Sequence, residues 1–329
     1  MKSIKSLIII FIVASMIVAG GCSGNIVEKD KPAGPGGVKD ETIMISATLY
    51  PQFDFARIIG GEKADVSLVL PPGMEAHSFE PTPQEIVSLS RTDIFLYTGD
   101  DMEPWAGNIV ENLKNEGVFV LDLSRGIPML EMDDHGHENE GTADGHENEE
   151  RGVDPHYWTD PNMAIIMIDE ILQAMVSIDP DNEEYYSGNS KLLKESLLKL
   201  DKDIKEVVEG SSSKTILSGG HFAFGYFAHR YGLEHMSPYE GFSPNAEPSP
   251  KSIASLMETI KSTGARAIFF EELADPKVAR VISEETGIQM LLLHGVHNVS
   301  IEDLNSGKSY LDFMYDNLEN LKIGLGYDE

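Results

Sequence analysis

Cysteine is almost absent from this chain, since Cys22 is the only one among 329 residues. A single cysteine excludes both a disulfide within the chain and a metal cluster built from thiolates. Basic residues are also scarce: 25 Lys and Arg stand against 55 Asp and Glu, giving a formal net charge of -30. Phosphate binding needs clustered Lys and Arg, so the charge balance argues against a nucleic-acid partner.

Motifs of several enzyme classes are missing as well. The sequence contains no HExxH zinc-protease motif, no GxSxG nucleophile elbow and no GxxxxGK(S/T) phosphate-binding loop. Neither serine-hydrolase chemistry of the GxSxG type nor ATP hydrolysis is therefore predicted. We expect a protein that is not an enzyme.

The first 22 residues have the features of a lipoprotein signal peptide. Lys2 and Lys5 precede an uncharged apolar run from residue 7 to 19, and Gly20, Gly21 and Cys22 follow it. The run is shorter than the ~20 residues that span a membrane comfortably. We expect cleavage before Cys22 and a lipid on its thiol, which would anchor the protein to the outer face of the cell membrane or in the periplasm. The alternative is an incidental cysteine in a discarded peptide.

Beyond the signal peptide, the sequence pattern predicts an α/β fold with mostly parallel sheets. Short apolar runs alternate with helical patterns twice, on either side of one long helical stretch at residues 182–208. The predicted strands are 43–49, 66–70, 93–98, 118–123, 215–218, 234–238, 267–271 and 289–293. We expect a flexible tether over 23–41, an N-terminal lobe over 42–178, a linking helix over 179–210 and a C-terminal lobe over 211–329.

Residues 131–152 interrupt the N-terminal lobe with a polar insertion. The segment carries three histidines among nine acidic residues, and the string GHENE occurs twice in it. It has too few apolar residues to fold on its own, so we expect a mobile loop. Weak, exchangeable metal binding by this loop and a merely solvated insertion both remain open.

Four of the ten histidines fall in loops at the ends of predicted strands, where ligands bind in parallel α/β sheets. They are His77, His156, His221 and His294. Neutral imidazole is the commonest side-chain ligand of zinc, so we predict a metal site supplied by both lobes. His297, Glu271 or a water could take the fourth position in place of His294, whereas His229 and His235 are expected to be structural.

Two other functions remain open from the residues alone. A zinc hydrolase would need an activated water and a base, and Glu75 and Glu80 flank His77. A tethered surface adhesin is the other alternative.

Five segments of the chain resemble the zinc/manganese-type solute-binding proteins of metal ABC importers, the cluster A-I family. They are PPGMEAHSFEPTP, DPHYWTDP, GGHFAFGYFAHRYGL, YEGFSPNAEPSP and FFEELADPKVARVISEETG. The resemblance covers nearly all of residues 42–325 and implies two α/β lobes joined by one rigid helix, with the metal in the cleft between them. It also implies that His77, His156 and His221 are ligands.

The same resemblance implies Zn²⁺ as the ion and a monomer as the acting species. Manganese-selective members tend to carry Glu at the third ligand position and Asp at the fourth, where this chain has His221 and His294. Because nitrogen ligands suit zinc and oxygen ligands suit manganese, we expect zinc rather than manganese or iron. The implied partners are a membrane permease and its separate ATPase.

Overall fold

The computed structural model describes residues 42–130, 153–239 and 248–328. The predicted signal peptide, Cys22, the tether and the polar insertion of residues 131–152 lie outside the described residues.

The first half of the chain contains a four-stranded parallel sheet. Its strands are β1 (Ile43–Ala47), β2 (Ala64–Leu68), β3 (Ile94–Tyr97) and β4 (Phe119–Asp122), in the order β2-β1-β3-β4. The central strand β1 pairs on both sides, since Ile45 lies opposite Val66 and opposite Ile94. All four residues of β3 are buried, as expected for a parallel strand covered on both faces.

Four helices cover this sheet or follow it: α1 (Tyr50–Gly60), α2 (Pro83–Leu89), α3 (Pro104–Asn115) and α4 (Pro161–Ile178). The N-terminus of α2 is fixed by a capping box, in which Thr82 and Glu85 satisfy each other's backbone amides. Helix α4 is long and apolar enough to cross a membrane. Because Ala164, Met167 and Ile168 are fully buried in the core, α4 is a core helix of the fold.

The long helix α5 (Glu183–Gly210) follows and has 28 residues. At 1.5 Å per residue it is about 42 Å long. It packs against α1, α4 and the C-terminal helix, Tyr310–Leu325. Its buried positions include Leu193, Leu197, Leu200, Ile204 and Val207.

The second half contains two pairs of parallel strands: β5 (Thr215–Leu217) with β6 (Glu234–Met236), and β7 (Ala267–Phe270) with β8 (Gln289–Leu292). A parallel bridge between Ser218 and Phe269 places β5 beside β7. The helices are α6 (Gly225–Tyr231), α7 (Pro250–Thr263), α8 (Lys277–Thr286), α9 (Ile301–Ser306) and α10 (Tyr310–Leu325).

The predicted α/β class with parallel sheets on either side of a long helix is confirmed. One apolar core runs through both halves, from β1 and α1 through α4 and α5 to α10. The lobe boundaries predicted at residues 178 and 211 stay predictions, because residues 41–329 form a single compact unit.

Candidate metal site

Three of the predicted ligands, His77, His156 and His221, come together in the structure. One ring nitrogen from each lies within 4.8 Å of the other two. Their ring centroids are separated by 5.1, 5.3 and 5.1 Å, and Nε2 of His77 is 3.2 Å from Nε2 of His156. Nitrogens bound tetrahedrally to one zinc ion lie about 3.3 Å apart, so the cluster has the dimensions of a zinc site.

His77 lies in the irregular segment of residues 69–82 that follows β2. The Glu75 carboxylate accepts hydrogen bonds from the backbone N–H groups of His77 and Ser78, both at 2.8 Å. Burial, together with the neighbouring imidazoles of His156 and His221, lowers the pKa of His77 to about 4. The ring is therefore neutral near pH 7, as a metal ligand must be.

His156 is fully buried just before α4 and is held by Asp154. One carboxylate oxygen of Asp154, Oδ1, accepts from the His156 backbone N–H at 2.9 Å and from Nδ1 at 2.8 Å. Since Nδ1 donates to a carboxylate, Nε2 carries the free lone pair, and it is Nε2 that faces His77.

His221 follows β5 and is held by Glu271, which follows β7. Its Nδ1 lies 3.1 and 3.3 Å from the two carboxylate oxygens of Glu271. Burial alone would lower the pKa of His221, but the hydrogen bond and the charge of Glu271 raise it above the usual 6.5. One ring nitrogen of His221 lies within 4.8 Å of ring nitrogens of His77 and His156, so the ring can contribute to the same site.

His294 occupies a different environment from the other three predicted ligands. Its ring packs against Phe313 with centroids 4.2 Å apart, and its Nδ1 accepts a hydrogen bond from the backbone N–H of Val296 at 3.0 Å. Burial, followed by the charge of Lys308, lowers the pKa of His294 to about 3. The structure does not place His294 in the group formed by His77, His156 and His221.

His297 lies closer to the three-histidine cluster. Its ring centroid is 6.4 Å from that of His77. Burial lowers the pKa of His297 well below its usual value, and the imidazoles of His156, His77 and His221 lower it further. The preceding residue, Val296, has a φ of 61°, which is unusual for a β-branched residue, and its side chain is fully buried.

The segment of residues 295–299, called the bridging segment below, is hydrogen-bonded to the first half of the chain. Its bonds include Tyr50 N to His297 O (3.1 Å), Gly73 N to Val299 O (2.9 Å), Trp158 Nε1 to Gly295 O (2.7 Å) and Asn298 Nδ2 to Met74 O (2.6 Å). The second half therefore brings His297 to the site on a segment that the first half holds in place.

His229 and His235, which the sequence analysis classed as structural, lie in α6 and β6. The His235 ring stacks on Phe222 with centroids 3.4 Å apart.

Comparison with known proteins agrees with this fold. The model of the ZnuA family, described as zinc-uptake complex component A, periplasmic, matches residues 45–324. The chain belongs to this family. The resemblance to solute-binding proteins of metal importers found in the sequence is thereby confirmed.

Members of the ZnuA family are similar to the chain over most of its length. The high-affinity zinc uptake system protein ZnuA of Bacillus subtilis is 32% identical over 316 residues, which is 96% of this chain and 97% of the relative. The zinc-binding lipoprotein AdcA of Streptococcus pneumoniae is 31% identical over 86% of this chain, which spans 56% of AdcA. The Zn(II)-bound ZnuA-like domain of Streptococcus pneumoniae AdcA superposes with a TM-score of 0.72 at 28% identity, covering 87% of this chain and 99% of that domain.

Sequence reasoning missed two acidic residues of this ZnuA-family site. Asp154 stands two residues before His156, and Glu272 lies next to the Glu271 that was named as a possible ligand. Metal-bound imidazoles usually donate their second N–H to a carboxylate. The closeness of Asp154 to His156 in the sequence could therefore have predicted that Asp154 holds this ring. The pairing of Glu271 with His221 spans 50 residues and had no such signal.

Proposed function

We propose that the chain binds Zn²⁺ outside the cytoplasm and delivers it to a membrane importer. The observation that carries the proposal is the meeting of His77, His156 and His221, from three separate segments, with ligand nitrogens within 4.8 Å of one another. Membership of the zinc-uptake family and the zinc-binding relatives support the same function.

We assign the fourth protein ligand to His297 in place of the predicted His294. His297 faces the other imidazoles and is kept neutral by burial. Nδ1 of His294 is taken up by the Val296 N–H, and its ring packs on Phe313. Glu271, another candidate, already holds Nδ1 of His221 with both oxygens.

A set of four imidazoles supports zinc over manganese or iron. Manganese favours carboxylate, carbonyl and water oxygens, whereas zinc accepts nitrogen ligands in a tetrahedral arrangement. The relatives named above are described as zinc-binding or zinc-uptake proteins, which supports the same choice.

The contacts of Glu75 argue against hydrolysis. A general base must be free to take a proton from a metal-bound water. The two oxygens of Glu75 instead accept from the backbone amides of His77 and Ser78, which makes it part of the loop that carries a ligand. A solute-binding protein needs only capture and release, and the tethered hydrolase and adhesin alternatives are not favoured.

The proposed site of action is the outer surface of the membrane. The family description is periplasmic, and the relative AdcA is described as a lipoprotein. We propose that Cys22 carries the lipid and that the loaded protein docks as a monomer on a permease driven by a separate ATPase. This route matches the family description as one component of an uptake complex.

The test is calorimetry on purified residues 23–329. We expect one tight zinc site, a loss of affinity of more than about 100-fold for His221→Ala, and a clear difference between His297→Gln and His294→Gln. The His297 variant should lose about 10- to 100-fold, while the His294 variant, once shown by circular dichroism to be folded, should bind like the parent. Absence of a tight zinc site would refute the function, and an equal loss in both variants would refute the assignment of the fourth ligand.

A further inference from the structure

We propose that Glu272 is a positioning residue for the metal site: its Oε1 accepts the Nδ1–H of His297 and so turns Nε2 of that ring toward the ion. The inference rests on the proposed function, in which His297 binds the metal. Glu272 would not touch the ion, and its effect would act through His297.

The first support is a pattern repeated around the site. Asp154 lies 2.8 Å from Nδ1 of His156, and Glu271 lies 3.1 Å from Nδ1 of His221. The third pair is Glu272 and His297, whose Oε1 and Nδ1 are 3.6 Å apart. Two of the three pairs are already at hydrogen-bond distance, and the third needs an approach of several tenths of an ångström.

The second support is that neither atom of the third pair has a hydrogen-bond partner among the described residues. Glu272 Oε1 and His297 Nδ1 are buried and make no hydrogen bond to any residue that the structure describes. Buried polar atoms are nearly always hydrogen-bonded, and leaving both unsatisfied costs free energy. A hydrogen bond between them would satisfy each at once.

The third support is that His294, the other histidine close to Glu272 Oε1, has no proton on Nδ1 to donate. His294 Nδ1 lies 3.3 Å from Glu272 Oε1, which is closer than His297. It accepts a hydrogen bond from the Val296 N–H, however, so in the neutral ring its proton is on Nε2 and it has none to give to Glu272. This leaves His297 as the donor for Oε1.

The surroundings of the carboxylate keep it in place for this role. The other oxygen, Oε2, accepts from the backbone N–H of Gly295 at 2.7 Å, which fixes the orientation of the group. A Cβ at residue 295 would lie 3.0 Å from His297 Nδ1 and 3.4 Å from Glu272 Oε1. The absence of a side chain at Gly295 therefore leaves the space in which the two atoms can approach each other.

The decisive variant is Glu272→Gln. Glutamine has nearly the same volume, and its single carbonyl oxygen can keep the bond to Gly295 N–H. Its NH₂ group then faces His297 Nδ1, where it favours the ring form with the proton on Nε2, which cannot bind a metal. We expect zinc affinity to fall about 10- to 100-fold, the range for partners behind a ligand, and the visible absorption of the cobalt(II)-loaded protein to change.

A double-mutant cycle separates positioning from a general structural effect. In the His297→Ala background, Glu272→Gln should cause no further loss of zinc affinity. The matched control is Glu103→Gln, which alters another buried carboxylate that also accepts from a backbone amide, Thr98 N–H at 2.5 Å, and should leave zinc affinity unchanged.

Each remaining result overturns the inference. Parent-like affinity in Glu272→Gln, or an equal loss in the His297→Ala background, would show that Glu272 does not act through His297. Because Glu271, Glu272 and His297 could themselves hold a cation, a second zinc ion per chain that disappears in Glu272→Gln would make Glu272 a ligand instead. If the parent protein bound no zinc tightly, the proposed function would fail first and this inference with it.

Discussion

The two candidate ligands of the first half, His77 and His156, each follow a carboxylate by two residues, yet the two carboxylates are used differently. Asp154 holds both the backbone and the ring of His156. Glu75 accepts hydrogen bonds from the backbone amides of His77 and Ser78. Asp154 therefore orients the ring of His156 before an ion arrives, whereas the hydrogen bonds of Glu75 to backbone amides do not orient the ring of His77.

The burial of the two segments that carry His156 and His77 supports the same distinction. Every residue from 154 to 161 is buried, whereas Gly73, Met74, Glu75, Ser78 and Glu80 are exposed. A buried segment opens only at a large cost in free energy, while an exposed loop with few apolar contacts moves readily. The comparison indicates that one side of the site is preformed and that the other closes on the ion.

The largest expected effect is the loss of the preformed ligand. His156→Ala should reduce zinc affinity by more than about 100-fold, because it removes the ligand whose geometry is already set. His77→Ala should cost about tenfold less, since the remaining three imidazoles keep their arrangement. Competition with a zinc-binding dye measures both variants, and equal losses would remove the distinction between the two sides.

The next largest effect compares the contributions of the Asp154 and Glu75 carboxylates to zinc affinity. Asp154→Asn should weaken zinc binding by about 10- to 100-fold, because the amide no longer fixes the proton on Nδ1 of His156. Glu75→Gln is the matched variant and should change the affinity by less than about threefold. A larger loss in Glu75→Gln than in Asp154→Asn would contradict the assignment of roles, provided that both proteins melt near the parent temperature.

A smaller effect concerns pH. Zinc competes with the proton for each imidazole, so affinity falls as pH drops through the pKa of a ligand histidine. The pKa of His77 is about 4, but that of His221 lies above 6.5. Zinc affinity should therefore begin to fall above pH 6.5, by at most about tenfold per pH unit for one proton. Glu271→Gln should move this onset to lower pH, and an onset near pH 4 in the parent would show that His221 is not the competing group.

The smallest expected change is in backbone protection. On addition of zinc, hydrogen exchange at residues 75–82 should slow, while exchange at residues 154–161 should stay slow throughout. The measurement is hydrogen–deuterium exchange with mass spectrometry on zinc-free and zinc-loaded protein. Equal slowing of both segments would mean that the segment of His156 also becomes ordered on binding.

Much of the fold could be predicted from hydrophobic periodicity. Predicted strand 93–98 is β3 at Ile94–Tyr97, and the long helical stretch predicted at 182–208 is α5 at Glu183–Gly210. The short helix α9 has six residues, which are too few to show a helical period in the sequence. Within α5 the large apolar residues Tyr185 and Leu192 are exposed, whereas Tyr186 and Leu193 face the core.

The candidate site was less accessible to sequence reasoning at its fourth position. His294 directly follows a predicted strand, whereas His297 lies three residues further on, so a rule based on strand ends favours His294. Val296, which has a positive φ, lies between them, and the ring centroid of His297 is 6.4 Å from that of His77. Nothing in the residue types signals a positive φ at a valine, so this part of the site needed the three-dimensional structure.

The bridging segment has a mechanical consequence for unloading. Asn298 and Val299 are bonded to Met74 and Gly73, only a few residues before His77. A displacement of the second half would therefore pull on the base of the loop that carries the most adjustable ligand. A transporter that binds the second half could in this way weaken the bond between His77 and the ion. The ion would then leave without wide separation of the two halves.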